Sequence, residues 1–333
     1  MKYYRIVGTK KFGIGALLTA IPVATWLCLD PNFRKIILWP DNIPINIIII
    51  LIAWLTWYSL YRAALNDNRL DEGLGPWEGL PENREKVWVW PNLVYTELMC
   101  IIGCTVFLVV WAIIFKAPLE EPANPTWAPN PAKAPWYFLG LQEMLVYFDP
   151  WMAGVVLPGI IVVGLIAIPY IDTNPKGNGY YTIAERPLAM WGFLFGWFVL
   201  WQYLIIVGTF LRGPNWTYYG PFEYWDFHKV VAEYNVNLSE FFWIKWLNRP
   251  MPANMFVREF FGILITIGYL FILPPAIARM KWGKKIIANV GQIRYYITIF
   301  LIIGMASLPI KMVLRWLFSL KYIIALPELE LNL

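Results

Sequence analysis

Seven apolar stretches of the chain have the length and composition of membrane-spanning helices. The hydrocarbon core of a bilayer requires about 20 apolar residues in a helix. A helix also satisfies its own backbone hydrogen bonds where no water is present. The pattern therefore predicts an all-α integral membrane protein with about seven transmembrane helices. The expected spans are 12–29, 44–61, 93–115, 151–171, 188–210, 256–278 and 295–310.

The composition agrees with lipid as the main solvent of the chain. Apolar residues make up 59% of the 333 positions and charged residues only 15%, whereas soluble domains are usually less apolar and more charged. Trp and Tyr cluster at the ends of the apolar stretches, where amphipathic rings lie at the level of the lipid headgroups. The net charge of +5 is spread over short loops without a basic stripe, so no nucleic-acid partner is indicated.

The distribution of Lys and Arg predicts the orientation of the spans. More than half of the 27 basic residues lie in four segments that would share one side of the membrane: 1–11, 62–92, 172–187 and 279–294. Basic residues accumulate on the cytoplasmic side of membrane proteins, so we assign these segments to a cytoplasm-like side. The two longest loops, 116–150 and 211–255, then face the opposite, electropositive side. Long loops often carry function.

Histidine and cysteine limit the metal chemistry of the chain. His228 is the only histidine, whereas a pair of haems with two histidine ligands each needs four. Any haem b must therefore belong to a partner subunit, and we interpret His228 as a loop side chain bonded to a neighbour rather than a ligand. Cys100 and Cys104 share a helix face, but without histidine or carboxylate neighbours we interpret them as packing residues. No metal site is predicted.

Glu97 lies one turn from the cytoplasm-like end of the third span. A carboxylate inside a membrane helix is costly and is often functional, which suggests a proton-uptake group near a quinone site. The alternative is that the Glu97 side chain reaches the membrane interface or pairs with a neighbouring helix. The sequence leaves both interpretations open.

The loop 116–150 changes character at Pro135. Repeated prolines before this position forbid a long helix, and no proline follows until Pro150. We therefore predict a short surface helix from Trp136 to about Tyr147, with Pro135 in its first turn. Helical spacing places four residues on one side of it: Trp136, Gly140, Glu143 and Tyr147. Aromatic rings beside one carboxylate suit a flat amphipathic ligand such as a quinol.

Four short motifs follow one another across this loop and the spans beside it: Trp90-Pro91-Asn92-Leu93, Glu121-Pro122-Ala123-Asn124-Pro125, Ala134-Pro135-Trp136-Tyr137-Phe138 and Ile168-Pro169-Tyr170-Ile171-Asp172. In this order and spacing they resemble the C-terminal half of cytochrome b, in particular subunit IV of cytochrome bc-type quinol oxidoreductases. The resemblance covers about 85–212, which corresponds to helices E, F and G of that family. It also implies, independently of the basic residues, that the loop 116–150 faces the electropositive side.

The resemblance implies a quinol-oxidising pocket at this loop, with five quinol-binding residues: Pro135, Trp136, Tyr137, Phe138 and Tyr147. One departure affects its chemistry. The family motif carries a glutamate where this chain has Pro135, and proline cannot accept a proton. Glu143 lies a little over two helical turns further on, where burial beside aromatic rings suits a proton acceptor. We therefore predict that Glu143 takes the catalytic role of the missing glutamate, although a local capping or pairing role for Glu143 is the alternative.

Three segments are predicted. Residues 1–84 hold two extra transmembrane helices, 85–212 form the subunit IV-like domain, and 213–333 hold an aromatic loop and two further transmembrane helices. The family pattern does not include the outer two segments, whose helices we interpret as facing lipid or a partner. We interpret the aromatic segment that begins at Arg212 as a docking surface for redox partners.

The predicted function is that of a haem-free subunit of a quinol:cytochrome c, or similar, oxidoreductase that translocates protons in an energy-transducing membrane, such as a bacterial inner membrane. The resemblance implies quinol at a subunit interface and a dimeric complex with three partners: a haem-bearing cytochrome b N-terminal subunit, a Rieske iron–sulfur protein and a c-type cytochrome. The alternative is a structural membrane anchor without a quinone site. A transporter is disfavoured, because the sequence shows no inverted repeat and few charges within its spans.

Overall fold

The computed structural model describes residues 3–83, 86–115, 119, 121–173 and 179–333. Parts of the predicted loops, at 84–85, 116–118, 120 and 174–178, lie outside the described residues. Thirteen helices are labelled here in chain order: α1 Tyr3–Val7, α2 Lys10–Leu27, α3 Pro31–Ile37, α4 Asn42–Asp71, α5 Val89–Ile114, α6 Trp136–Met144, α7 Met152–Ile171, α8 Pro187–Leu211, α9 Leu238–Glu240, α10 Met255–Arg258, α11 Phe260–Arg279, α12 Lys281–Val290 and α13 Gln292–Phe318.

Shorter elements lie between these helices and at the end of the chain. The described 3-10 turns are Trp77–Gly79, Pro81–Asn83, Pro214–Trp216 and Pro327–Leu329, and a π-turn covers Phe241–Trp246. The strands β1 Ala325–Leu326 and β2 Leu331–Asn332 form a small antiparallel pair. Apart from these strands and two isolated β-bridges, the regular secondary structure of the described residues is helical, so the predicted all-α fold class is confirmed.

Within the described residues, six helices are long and apolar enough to cross a membrane: α4, α5, α7, α8, α11 and α13. The bent pair of α2 and α3 is a seventh candidate if it counts as one span, with a bend of 116° at its break. The break has a local cause. Asp30 caps α3 by accepting hydrogen bonds from the backbone N–H groups of Asn32 and Phe33. Pro31 occupies the first helical position, where proline is favoured. The candidate spans confirm the predicted multi-pass membrane protein.

Two spans are longer than the sequence predicts. Helix α4 continues to Asp71 instead of ending near 61, and α13 covers Gln292–Phe318 rather than 295–310. In both cases the extra turns contain charged residues, which hydropathy places outside an apolar span. The ends of the other predicted elements agree more closely. Helix α7 ends at Ile171 with Asp172 as its cap, and the predicted surface helix is present as α6, although it ends at Met144.

The described residues form two compact units. The first consists of residues within Met1–Ala132, Lys176–Trp191 and Phe210–Phe227. Its buried apolar cluster joins Tyr4 of α1, Ala63 and Ala64 of α4, and Ile183. Next to this cluster the fully buried carboxylate of Asp67 accepts hydrogen bonds from the hydroxyls of Tyr4 and Thr182.

Asp67 also accepts two backbone hydrogen bonds of 3.1 Å, from the N–H groups of Ile183 and Ala184. Since a buried carboxylate is costly unless its oxygens are bonded, these four donors explain why Asp67 is tolerated there. They attach the extra N-terminal helices to the segment that precedes α8.

The second unit consists of residues within Lys133–Pro175, Gly192–Thr209 and His228–Leu333. Its main core joins α6, the beginning of α7, the middle of α8 and the second half of α13 through ten buried apolar residues: Met144, Tyr147, Phe148, Met152, Ala153, Leu157, Leu200, Leu204, Leu308 and Met312. The chain end packs beside this core, where the indole N–H of Trp151 donates to the carbonyl oxygen of Asn332 at 2.9 Å. The C-terminal helix is therefore an integral part of this unit.

Helix α5 differs from the other spans of the chain. None of the residues in its apolar window is buried among the described residues. Because lipid tails are as apolar as its side chains, such a helix is stable when lipid or another membrane protein surrounds it. The predicted segment limits at 84/85 and 212/213 remain predictions.

Candidate functional site

The surface helix α6 is held at its beginning by two local hydrogen bonds. The carbonyl oxygen of Pro135 accepts from the backbone N–H of Phe138 at 2.8 Å. The side-chain oxygen of Gln142 reaches back and accepts from the backbone N–H of Ala134 at 2.8 Å. Helix ends carry unsatisfied backbone groups that need such partners. The motif before α6 is therefore fixed to the helix that follows it.

Two glycines allow α6 to lie close to α8. A methyl group on Gly140 would lie 3.3 Å from the ring of Trp201, and one on Gly208 would lie 3.2 Å from the carbonyl oxygen of Leu139. Both distances are shorter than ordinary contacts, so a larger side chain would push the two helices apart. This close approach buries one face of a helix that the sequence places at the membrane surface.

Glu143 lies on that buried face. Its side chain is 0% exposed, and its carboxylate accepts a hydrogen bond of 3.3 Å from the hydroxyl of Tyr147, which is itself 3% exposed. Gly140 is buried on the same side, in agreement with the predicted helix face. Trp136 belongs to this face only in part, because it is 36% exposed at the beginning of the helix.

The exposed side of α6 is aromatic at its beginning. Tyr137 and Phe138 are each about half exposed. Their ring centroids lie 4.6 Å apart, and the ring of Trp136 lies edge-on to Tyr137 at 5.6 Å. These three rings form one aromatic patch. The predicted quinol-binding residues thus divide into this patch, Pro135 at the cap, and buried Tyr147.

Sequence reasoning missed the contribution of α13 to this region. Trp316 lies edge-on to the ring of Tyr147, with centroids 6.4 Å apart, and at the same distance from the ring of Tyr203 in α8. Trp316 is near the end of the last span, outside the pattern that the resemblance covers. Its only signal in the sequence is an aromatic residue at a membrane boundary, which is common.

Lys133 is a second residue that the sequence reasoning did not single out. Its ammonium group donates to the carbonyl oxygen of Thr209 at 2.7 Å. Burial lowers the pKa of Lys133 to about 8, while the charge of Glu143 acts in the opposite direction. The two groups are therefore close enough to influence each other. Nothing in the Pro-rich sequence around Lys133 indicates that its side chain is largely withdrawn from water.

The contact between α6 and α8 also holds polar atoms that lack partners. Among the described residues, the side-chain nitrogen of Gln202 and the hydroxyl of Thr209 are buried without a hydrogen bond. Gln202 is 7% exposed and Thr209 is 2% exposed. Buried polar atoms of this kind are usually satisfied by ordered water.

The other predicted chemical groups lie elsewhere. Glu97 is exposed in the first turn of the regular part of α5, within the first compact unit. His228 is exposed in the loop before α9. Within the described ranges no three His, Cys, Asp or Glu side chains come together as a metal site would require. Among the predicted site residues, Glu143 and Tyr147 are therefore the pair that a hydrogen bond joins.

The family comparison covers the same part of the chain. Residues 122–222 match the family described as cytochrome b (C-terminal)/b6/petD. The match spans about a third of the chain and includes α6, α7 and α8, whereas the motif that begins α5 lies outside it. No solved structure matches the chain significantly.

The family supplies the cellular setting. Cytochrome b C-terminal proteins are subunits of b6f- and bc-type quinol oxidoreductases, so the match supports a membrane subunit of an electron-transport oxidoreductase. Such complexes lie in an energy-transducing membrane and contain a cytochrome b N-terminal subunit, and they use quinone and haem.

Proposed function

We propose that this chain is the haem-free subunit of its complex and that α6 and its preceding loop form part of a quinol-oxidising site. The observation that carries the proposal is the fully buried carboxylate of Glu143, which lies on the same helix as the aromatic patch and accepts a hydrogen bond from Tyr147. Buried carboxylates are expensive. Accepting a proton from quinol would give the buried carboxylate of Glu143 a function.

Quinol oxidation releases protons as electrons leave for cofactors on the partner subunits. The residues of this chain would bind the quinol and accept its protons. The rings of Trp136, Tyr137 and Phe138 offer flat faces to a quinol ring, and the Glu143 carboxylate accepts a proton from a quinol hydroxyl. General bases of this kind usually contribute about 10²- to 10⁴-fold to a rate. Tyr147 orients the accepting oxygen.

The histidine content assigns the b-type haems of the complex to a partner subunit rather than to this chain. A buried haem pair with histidine ligands on both faces needs four imidazoles, and His228 is the only one in the sequence. We assign the b-type haems to the cytochrome b N-terminal subunit. A Rieske iron–sulfur protein and a c-type cytochrome complete the proposed electron path, in a dimeric complex that translocates protons.

Glu97 has a separate proposed role. It lies in the first turn of α5, at the end of the span that the basic residues place on the cytoplasm-like side. Its carboxylate could take up protons for a second quinone site on that side, which would complete proton translocation. Since Glu97 is exposed in this chain, the role requires a neighbouring subunit to cover it.

Photolabelling with an azido-quinone tests whether this subunit forms part of a quinol site. In the purified complex we expect label in the peptide that contains α6, with displacement by an inhibitor of quinol oxidation. Phe138→Ala should reduce this label, because Phe138 is half exposed in the aromatic patch. The matched control is Phe107→Ala, which removes an exposed ring from the bare helix α5 and should leave labelling unchanged.

The competing function is a structural anchor without a quinone site. Pro135 favours it, because the family's motif glutamate is missing at that position. An anchor predicts that all inhibitor-sensitive label falls on other subunits and that Phe138→Ala has no effect on labelling. That outcome would contradict the proposed function.

A further inference from the structure

We propose that Lys133 is a proton-relay residue, which receives the proton from Glu143 and passes it to water on the electropositive side of the membrane. The proposal rests on the proposed function of Glu143. It adds the route by which Glu143 releases its proton between turnovers, and it assigns that route to a residue outside the recognised motifs.

Glu143 needs such a route because its side chain has no exposed surface. A carboxylate that accepts a proton in each turnover must release it before the next one. Tyr147 donates its own hydroxyl hydrogen to Glu143. This contact stabilises the ionised carboxylate but does not remove the proton from the carboxylic acid. A second group must therefore connect Glu143 with water.

Lys133 has the position that this connection requires. Its side chain is partly exposed, whereas Glu143 is fully buried, and the two groups influence each other electrostatically. The hydrogen bond of 2.7 Å to the carbonyl oxygen of Thr209 holds the amine at the α8 side of the contact. Lys133 thus combines partial exposure with electrostatic contact to the buried acceptor.

The chemistry of the relay balances without another reactant. A neutral amine accepts the proton of the Glu143 carboxylic acid, which leaves a carboxylate and an ammonium ion. The ammonium then gives the proton to water, and both side chains return to their starting forms. A lysine can take part only if its neutral form is accessible. Burial makes the neutral amine accessible, because it lowers the pKa of Lys133 to about 8.

Two further side chains suit a hydrated path. The buried nitrogen of Gln202 and the buried hydroxyl of Thr209 lack protein partners among the described residues. Ordered water bonded to them would satisfy both and could carry protons beside Lys133. Neither side chain titrates. Glu143 is the charged group whose effect on Lys133 the structure records.

Two substitutions separate a relay from a structural role. Lys133→Arg keeps a positive donor for the Thr209 carbonyl but cannot release a proton in the working pH range, and Lys133→Gln keeps a donor without the charge. A relay predicts that quinol oxidation by the intact complex slows by about tenfold or more in both variants. A structural role predicts that Lys133→Arg keeps the wild-type rate. Lys245→Arg, in the loop segment predicted to face the same side, is the matched control.

The pH profile provides a readout that packing does not affect. Below about pH 8 Lys133 is already protonated before the transfer, so the wild-type rate should rise as the pH increases through this value. Both variants should lose the rise. In Lys133→Ala, added methylamine should restore part of the rate, because it replaces the missing proton carrier. Wild-type rates in Lys133→Arg, or an unchanged pH profile, would overturn the relay.

These outcomes can be separated from failure of the proposed function. If Glu143→Gln slows quinol oxidation but Lys133→Arg does not, Glu143 remains the acceptor and the relay is wrong. If neither variant slows the reaction, both proposals are wrong.

Discussion

Tyr147 donates its hydroxyl hydrogen to the carboxylate of Glu143, one helical turn earlier, at 3.3 Å. Both side chains are withdrawn from solvent, and both lie on the face that joins α6 to the main core of the second unit. A carboxylate in this position can accept a proton from a ligand on α6 only if its orientation is fixed. The Tyr147 hydroxyl supplies that orientation.

Tyr147→Phe should therefore slow quinol oxidation without disturbing assembly. Phenylalanine keeps the ring that packs on Trp316 and removes the hydrogen bond to Glu143. Such bonds to a charged group contribute about 1.5–3 kcal/mol, so we expect the rate to fall by about ten- to a hundredfold. Tyr170→Phe, at the exposed end of α7, is the control. Steady-state quinol oxidation in membranes measures the effect, and a wild-type rate would show that Tyr147 does not act on the acceptor.

Asp67→Ala should destabilise the attachment of the N-terminal helices. The substitution leaves two hydroxyls and two backbone N–H groups without their acceptor, and each buried unsatisfied group costs about 1–3 kcal/mol. We expect a clear loss of thermal stability in detergent and faster proteolysis of the segment around Ile183.

The control for Asp67 is Asp71→Asn. Asp71 forms an ion pair with Arg5 but is 59% exposed, and exposed pairs contribute about 0–1 kcal/mol. Equal effects of the two substitutions would show that the buried bonds of Asp67 do not hold the segment.

The orientation of the loops is a further prediction. In a variant whose three cysteines are replaced by serine, single cysteines at Thr126 and Val230 should react with a membrane-impermeant maleimide from the same side. A cysteine at Lys284 should react from the other side. All three positions are exposed. Opposite accessibility of Thr126 and Val230 would mean that the number of spans between them is wrong.

Haem content follows from the single histidine. The chain expressed alone should show no bis-histidine haem spectrum, whereas the complex purified through a tag on this chain should show b-type absorption bands. A b-type spectrum from the isolated chain would require ligands other than a histidine pair and would contradict the assignment of haem to a partner.

The spans and the surface helix could be predicted because they depend on local pattern. Apolar runs of membrane length give α5, α7, α8 and α11 within a few residues, and the prolines at 135 and 150 delimit α6. The continuation of α4 could not be predicted in this way. Two of the groups that hold this extension, the Tyr181 carbonyl bonded to Asn66 and the Thr182 hydroxyl bonded to Asp67, lie 115 residues further along the chain. Hydropathy counts Asn66 and Asp67 only as a cost.

The candidate site was predicted in part for the same reason. Helical spacing places Glu143 and Tyr147 on one face. Lys133 and Trp316 could not be found from spacing, because their positions depend on how the loop meets α8 and how α13 packs on α6. Both are tertiary contacts between distant segments. The resemblance did not help, since it marks neither residue.

The rate of quinol oxidation in a Glu143→Gln variant of the intact complex tests the central claim most directly. Glutamine keeps the size and hydrogen bonding of the side chain but cannot accept a proton. The account predicts a rate lower by about ten- to a thousandfold with normal assembly, while Glu121→Gln in the exposed part of the same loop retains the wild-type rate. An unchanged rate in Glu143→Gln would contradict the account and leave Asp149, bound water or a partner residue as the proton acceptor.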